Sequence, residues 1–144
     1  MSQFVIDASV AIKWVIDEDG TPEALALRRH ALAAPDLLIP ECANILWKKV
    51  RRGELAPDEA VLAARLLARA DVDLMPMRSF LEAATRIAVA LDHPAYDCVY
   101  LALAEADGLT FITADERLLR KARLDPAGRW SARVVSLSEA VASH

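Results

Sequence analysis

The sequence predicts an α/β domain with a mostly parallel central sheet flanked by helices, and three observations lead there. Short apolar runs of strand length alternate with helical stretches along the 144 residues, the pattern of parallel strands joined by helical crossovers. Proline opens and glycine closes several of the helical stretches, as local backbone chemistry favours. Four carboxylates, Asp7, Glu41, Asp97 and Asp115, each stand where an apolar stretch meets a helix start. In an open parallel sheet, the carboxyl ends of strands and the helix N-termini beyond them share one edge, where ligands bind. A chain of this length supports one ordinary core, so residues 1–144 are expected to form a single domain.

Residues 3–7 read as a buried strand ending in F-V-I-D, and 8–17 as a short helix. Pro22 suits the first turn of a second helix running to about residue 33. Leu37 to Ile39 form an expected short strand stopped by Pro40, which opens a helix through Arg52 that Gly53 ends. Pro57 opens the next helix, whose Val61, Leu62, Leu66 and Leu67 recur at helical spacing. A strand is expected over Val72 to Met75, then helices over 79–91 and 94–107, the latter between Pro94 and Gly108. Strand Thr110–Thr113, helix 115–123, a loop over Asp125–Trp130 and strand Arg133–Leu137 complete the pattern. No internal repeat or low-complexity tract interrupts it.

Charges break every apolar segment before the roughly 18 residues of a membrane span, so no membrane partner is expected. The chain opens directly into a strand, without a basic segment or a cleavage-site pattern. Cys42 and Cys98 each follow a key acid by one residue inside an apolar helical pattern. A structural disulfide is not expected there, and a cytoplasmic location is the default. The net charge is -4, which the four acids alone account for. The excess anionic charge could therefore be concentrated at one candidate metal site, and net charge alone does not exclude a nucleic-acid partner.

Each acid has an ordinary explanation, because Asp and Glu near a helix N-terminus contribute about 0.3–1 kcal/mol through the macrodipole. Asp97 fits that explanation least. Between Pro94 and Ala104 it is the only residue charged at neutral pH, and a carboxylate among such neighbours calls for a partner. Glu41 is similar, lying between Pro40 and Cys42-Ala43. Four acids brought to one edge repel one another unless a cation sits between them, and a divalent metal meets that need.

Hydroxyls and amides surround the acids. Ser9 lies two residues after Asp7, Thr113 two before Asp115, and Asn44 one helical turn after Glu41. They are candidates to orient carboxylates or metal-bound waters, or else simple caps and core hydrogen bonders. His93 reads as a helix-start residue rather than a ligand. Arg117, two residues past Asp115, is placed to meet a phosphate or to pair with a site acid. Lys48, Lys49, Arg51 and Arg52 close one helix, where basic residues favour the dipole and read as a solvated face. Trp14 and Trp47 lie in apolar helical stretches and are expected in the core or an interface.

The motifs F-V-I-D-A-S-V, P-E-C-A-N, Y-D-C-V-Y-L-A-L-A and F-I-T-A-D-E-R-L, in this order, resemble those of PIN-domain nucleases. The nearest subgroup is the VapC-type toxins of bacterial toxin–antitoxin pairs, and the resemblance spans nearly the whole chain. It implies a PIN-like fold, with Asp7, Glu41, Asp97 and Asp115 at the family's acidic positions and Ser9, Asn44 and Thr113 as their polar companions. It further implies an endoribonuclease dependent on Mg2+ or Mn2+, held in check by a cognate antitoxin, commonly a homodimer and able to form a higher assembly with that antitoxin. Oxygen ligands suit these hard cations, and the absence of a His or Cys cluster beside the acids disfavours zinc. Asp7 and Asp97 are the expected direct metal ligands, with Glu41 and Asp115 as ligands or outer acceptors.

Other readings share some of these features. A haloacid-dehalogenase-type phosphatase also begins with a strand-end Asp, but carries a second Asp where this chain has Ser9. A receiver-like signalling domain does not place an acid as Asp97 is placed. A PIN nuclease of RNA maturation or quality control shares the chemistry, and a non-catalytic RNA- or partner-binding module shares the scaffold.

Overall fold

The computed structural model describes residues 3–143. Its centre is a sheet of strands β1 (Phe4–Ile6), β2 (Leu32–Pro35), β3 (Asp73–Met75), β4 (Thr110–Thr113) and β5 (Val134–Ser136). They lie in the order β3-β2-β1-β4-β5, and every pairing is parallel. Strand order reverses beside β1, so a crevice opens between the carboxyl ends of β1 and β4. Phe4, Val5 and Ile6 pair with Thr110, Phe111 and Ile112, which sets those two strand ends level.

Eight α-helices connect the strands among the described residues: α1 (Ala8–Ala11), α2 (Thr21–Ala26), α3 (Leu38–Arg51), α4 (Pro57–Ala68), α5 (Leu81–Leu91), α6 (Ala95–Asp107), α7 (Glu116–Arg123) and α8 (Leu137–Ser143). Helix α6 packs on β1, β2 and β4 and against α5. Cys98, Tyr100, Leu101, Ala102, Leu103 and Ala104 of α6 are all buried, which explains its nearly unbroken apolar sequence. Gly108 stops α6 in a left-handed conformation at φ 65°, where a Cβ would be strained. Helix α3 packs on α1 and α4.

Several expectations are corrected. The strand expected at Leu37–Ile39 is instead β2 at Leu32–Pro35, and residues 38–51 form α3. The helix expected to run from Pro22 to residue 33 ends at Ala26, followed by one 3-10 turn over Leu27–Arg29. The run L-A-A-P has the alanines of a helix, yet all four residues are buried in the sheet, and tertiary pairing overrides propensity. Pro40 sits inside the first turn of α3, where its missing N–H has no intrahelical partner to lose. Glu41 therefore belongs to a helix start that follows β2 through a short turn, not directly to a strand end.

At the start of the chain, the helix expected over 8–17 is α1 followed by a 3-10 turn at Ile12–Trp14. At the other end, the expected strand Arg133–Leu137 is trimmed to β5, and α8 follows it unforeseen. Its start was written in the sequence as S-L-S-E. The Ser136 N–H donates to Glu139 Oε1 at 3.0 Å and the Glu139 N–H to Ser136 Oγ at 3.2 Å, a reciprocal capping box. The single-domain expectation for 1–144 extends to residues 1, 2 and 144, which lie outside the described residues.

Candidate active site

Asp7 leaves β1 in extended backbone and caps α1, accepting the Val10 N–H at 3.3 Å. It is buried, as is Thr113 at the end of β4. Ser9 Oγ donates to Asp7 Oδ1 at 2.5 Å and Thr113 Oγ1 donates to Asp7 Oδ2 at 2.5 Å. Each hydroxyl also accepts a backbone N–H, Ser9 from Ala114 at 2.9 Å and Thr113 from Asp115 at 3.0 Å. Those two donors orient the hydroxyls so that both protons point at Asp7. The network is wired for a carboxylate acceptor and ties the end of β1 to the end of β4.

The other acids come from three different helices. Glu41, in the first turn of α3, accepts the Tyr100 phenol proton at 2.6 Å. Asp97, in the first turn of α6, has Oδ2 2.6 Å from His93 Nε2. Asp92 adopts a left-handed conformation at φ 52° between α5 and α6, a turn that leaves His93 beside the start of α6. Asp115 caps α7, accepting the N–H groups of Arg117 at 2.9 Å and Leu118 at 3.3 Å.

All four carboxylates line one cavity of about 180 Å3, together with Ala8, Ser9, Asn44 and Ile45. Burial pushes the Asp7 carboxyl up to about 7 against the pull of its Ser9 and Thr113 hydrogen bonds, and the charges of Asp97 and Glu41 push the same way. Glu41 is raised by burial, opposed by the Tyr100 bond and reinforced by Asp97. Asp97 is raised by burial, opposed by the His93 bond, reinforced by Asp115 and eased by the charges of His93 and Arg117. Three acids whose ionised forms are disfavoured in one small cavity mark an electrostatic deficit that a cation would relieve.

The donor set also fits a hard cation. The cavity presents carboxylates, the Ser9 hydroxyl and the Asn44 amide. The nearby thiols of Cys42 and Cys98 are free and buried, and burial first, then neighbouring carboxylates, drives them up to about 12 and about 11. Neither is a thiolate ligand under ordinary conditions. Among the described residues, no three His, Cys, Asp or Glu side chains form a preformed cage. Mg2+ commonly takes only one or two carboxylates and keeps several waters, so the arrangement suits it.

The structure thus gathers Asp7, Ser9, Glu41, Asn44, Asp97, Thr113 and Asp115 within one small region. Arg117 lies exposed at its edge, and its charge is felt at Asp97. One neighbour, Tyr100, escaped the sequence reading as a partner of the site. Tyr100 lies 59 residues from Glu41 in the chain and is brought to it only by the fold, so no local spacing announces the pair. His93, four residues before Asp97 and expected as a helix-start residue rather than a ligand, also contacts that acid, as its helical-neighbour spacing allows. Trp14 packs partly buried against the core, as expected, whereas Trp47 is 53% exposed and lies outside it.

A model of the PIN domain matches residues 4–124. The chain belongs to the PIN-domain family. Within that family it is similar to Ribonuclease VapC3 of Pyrobaculum aerophilum, 33% identical over 124 residues, covering 83% of this chain and 94% of that protein. The resemblance to the VapC branch that the sequence motifs carried is thereby borne out. Among solved structures, PAE2754 from Pyrobaculum aerophilum superimposes with a TM-score of 0.73 at 22% identity, over 99% of this chain and 88% of that one. The DNA-bound VapBC structure from Salmonella typhimurium gives 0.64 at 18% identity, over 95% of this chain and 99% of that one. These two likenesses confirm the fold, an all-parallel sheet flanked by helices.

Proposed function

We infer that this protein is an endoribonuclease and the toxin of a toxin–antitoxin pair. The observation that carries the chemistry is the convergence of Asp7, Glu41, Asp97 and Asp115 on one cavity at the carboxyl edge of a parallel sheet. Its kinship with a protein named as a VapC ribonuclease supplies RNA as the substrate class.

In this reading Asp7 and Asp97 hold a Mg2+ or Mn2+ ion, and Glu41 and Asp115 serve as further ligands or as acceptors for water around it. When bound, such a cation lowers the pKa of water and stabilises charge developing on a phosphodiester. Ser9 and Thr113 fix both oxygens of Asp7. Tyr100 holds Glu41, and His93 holds Asp97. Asn44 offers an amide to water or substrate in the cavity, and Arg117 offers a cation to a phosphate entering it.

The antitoxin partner follows from the VapC kinship, and the VapBC structure shows this fold within such a complex. We further propose a homodimer acting in the cytoplasm, with 1–144 as one domain. No helix among the described residues is long and apolar enough to cross a membrane.

The test is RNA cleavage by the unchanged chain and by Asp7→Asn and Asp97→Asn. Loss of Mg2+-dependent cleavage in both is expected, and near-unchanged rates in both overturn the mechanism. Induction in a bacterial host should arrest growth, and Asp97→Asn should abolish the arrest. Normal growth with active enzyme present overturns the toxin assignment.

A further inference from the structure

A second cavity, of about 320 Å3, adjoins the acidic one and shares Ser9 and Ile45 with it. It is basic: Lys13, Lys48, Lys49 and Arg52 line it against one lining carboxylate, Glu18. Lys13 Nζ and Lys49 Nζ each stand 3.0 Å from a different oxygen of Glu18. Their side chains are only 12% and 13% exposed, so these ammonium groups are held in place rather than swinging in solvent. Burial acts to raise the Glu18 carboxyl, but the two lysines outweigh it and keep it below its ordinary range. Glu54 also stands 3.8 Å from Lys49 Nζ and 3.9 Å from the Arg52 guanidinium, so the four cations face two carboxylates and leave net positive charge in and around a formed cavity.

The path continues beyond it. Lys48 and Arg52 also line a further hollow with Trp47 and Arg51. The Trp47 ring is 53% exposed, with the Arg51 guanidinium 5.4 Å from its centroid. Glu41, Ile45, Lys48 and Arg52 follow one another at four-, three- and four-residue intervals, with Asn44 beside Ile45, hence along one side of α3. The electrostatic character of that side changes from acidic to basic within the length of one helix.

We propose that the RNA strand tracks this side of α3, with its scissile phosphate at the acidic cavity, a neighbouring phosphate in the Lys13–Lys48–Lys49–Arg52 cavity and a base on Trp47. This rests on the ribonuclease reading and deepens it. Four carboxylates repel a polyanion, so affinity must come from cations beside them, where phosphate contacts dominate binding. Held lysines lose little freedom on meeting a phosphate. An exposed indole braced by a guanidinium offers a stacking face to an unpaired base, which selects single-stranded over duplex RNA.

The test uses cleavage of a labelled single-stranded RNA of random sequence in Mg2+ by the full chain. Lys13 and Lys49 stay intact, because removing either strips Glu18 of a partner. Lys48→Ala with Arg52→Ala, both exposed positions, should flatten the dependence of log kcat/KM on log salt by about 0.7 per lost phosphate contact. Trp47→Ala should raise KM on the order of tenfold with kcat little changed, and Trp47→Phe should restore most of it. If the unchanged chain cleaves no RNA, the ribonuclease reading and the path fall together. If it cleaves RNA and the lysine–arginine variant keeps both slope and KM, the path alone falls. Loss of binding to a polyglutamate peptide, with RNA kinetics unchanged, assigns the surface to an acidic protein and also overturns the path.

Discussion

Tyr100 donates its phenol proton to Glu41 Oε1 at 2.6 Å, fastening the middle of α6 to the first turn of α3. The ring is fully buried and stacks on Phe111 at a centroid distance of 5.6 Å. Burial, then the Glu41 charge, drives the phenol well above its ordinary pKa, so Tyr100 remains a donor throughout the working range. Glu41 thereby keeps a defined position in a cavity that would otherwise repel it.

Tyr100→Phe keeps the stacked ring and removes only that donor. It should lower stability by about 1.5–3 kcal/mol at neutral pH, the range for a hydrogen bond to a charged group. Urea unfolding measures this, and nuclear magnetic resonance should find the Glu41 carboxyl titrating higher than in the unchanged chain. A Glu41 titration that does not move shows the bond to be incidental.

Asp7 links the site to stability with a definite sign. Its folded carboxyl titrates near 7 instead of its ordinary 3.8, so between those values the folded state binds more protons than the unfolded one. Its contribution is most favourable below the unfolded value and is lost as pH rises through the folded one. At pH 8 the penalty is at most roughly 4 kcal/mol. Asn in place of Asp7 forfeits about 1–2 kcal/mol of hydrogen bonding from Ser9 and Thr113. Without added metal, Asp7→Asn should therefore unfold at higher urea than the unchanged chain at pH 8, and the advantage should vanish near pH 4.

Divalent cations should reverse that penalty. A proton on Asp7 competes with the metal below about pH 7, so Mg2+ should raise the unfolding temperature more at pH 8 than at pH 6. At a hundred times its dissociation constant, a ligand of the folded state alone contributes about 2.7 kcal/mol. Calorimetric scans with Mg2+ and with EDTA provide the comparison. Equal responses in the unchanged chain and in Asp97→Asn exclude Asp97 as a ligand.

His93 tests the support of Asp97. Its side chain is nearly buried and its Nε2 lies 2.6 Å from Oδ2 of the acid. His93→Gln should weaken Mn2+ binding by about tenfold, the scale on which outer partners of a metal site act. Titration calorimetry reads this directly, and unchanged affinity reduces His93 to a packing residue.

Much of the architecture was legible because local chemistry and tertiary demand agreed. At α6, Pro94 and Gly108 bracket a burial pattern that the central position of the helix requires. At β4, the T-F-I-T run is a strand by propensity and by burial. The β2 region was misread because alanine-rich sequence favours helix in isolation, and only pairing with β1 and β3 made it a strand. Helix α8 was legible but unread, since its capping box stands in the sequence.

The sequence by itself determined which residues could meet an electropositive ligand, because acids at strand ends and at the helix starts that follow them share one edge of a parallel sheet. Asp97, whose helix follows α5, reaches that edge only through the packing of α6. Tertiary structure alone decided how those acids are held. Thr113 reaches Asp7, and Tyr100 reaches Glu41, across separations in the chain that no periodicity describes. It also decided that Lys13 and Lys49, remote in sequence, clasp one Glu18 beside the acidic cavity. The physical reason is common to all three. A hydrogen bond or ion pair between distant residues depends on strand order and helix packing, and those are settled by the burial of the whole core.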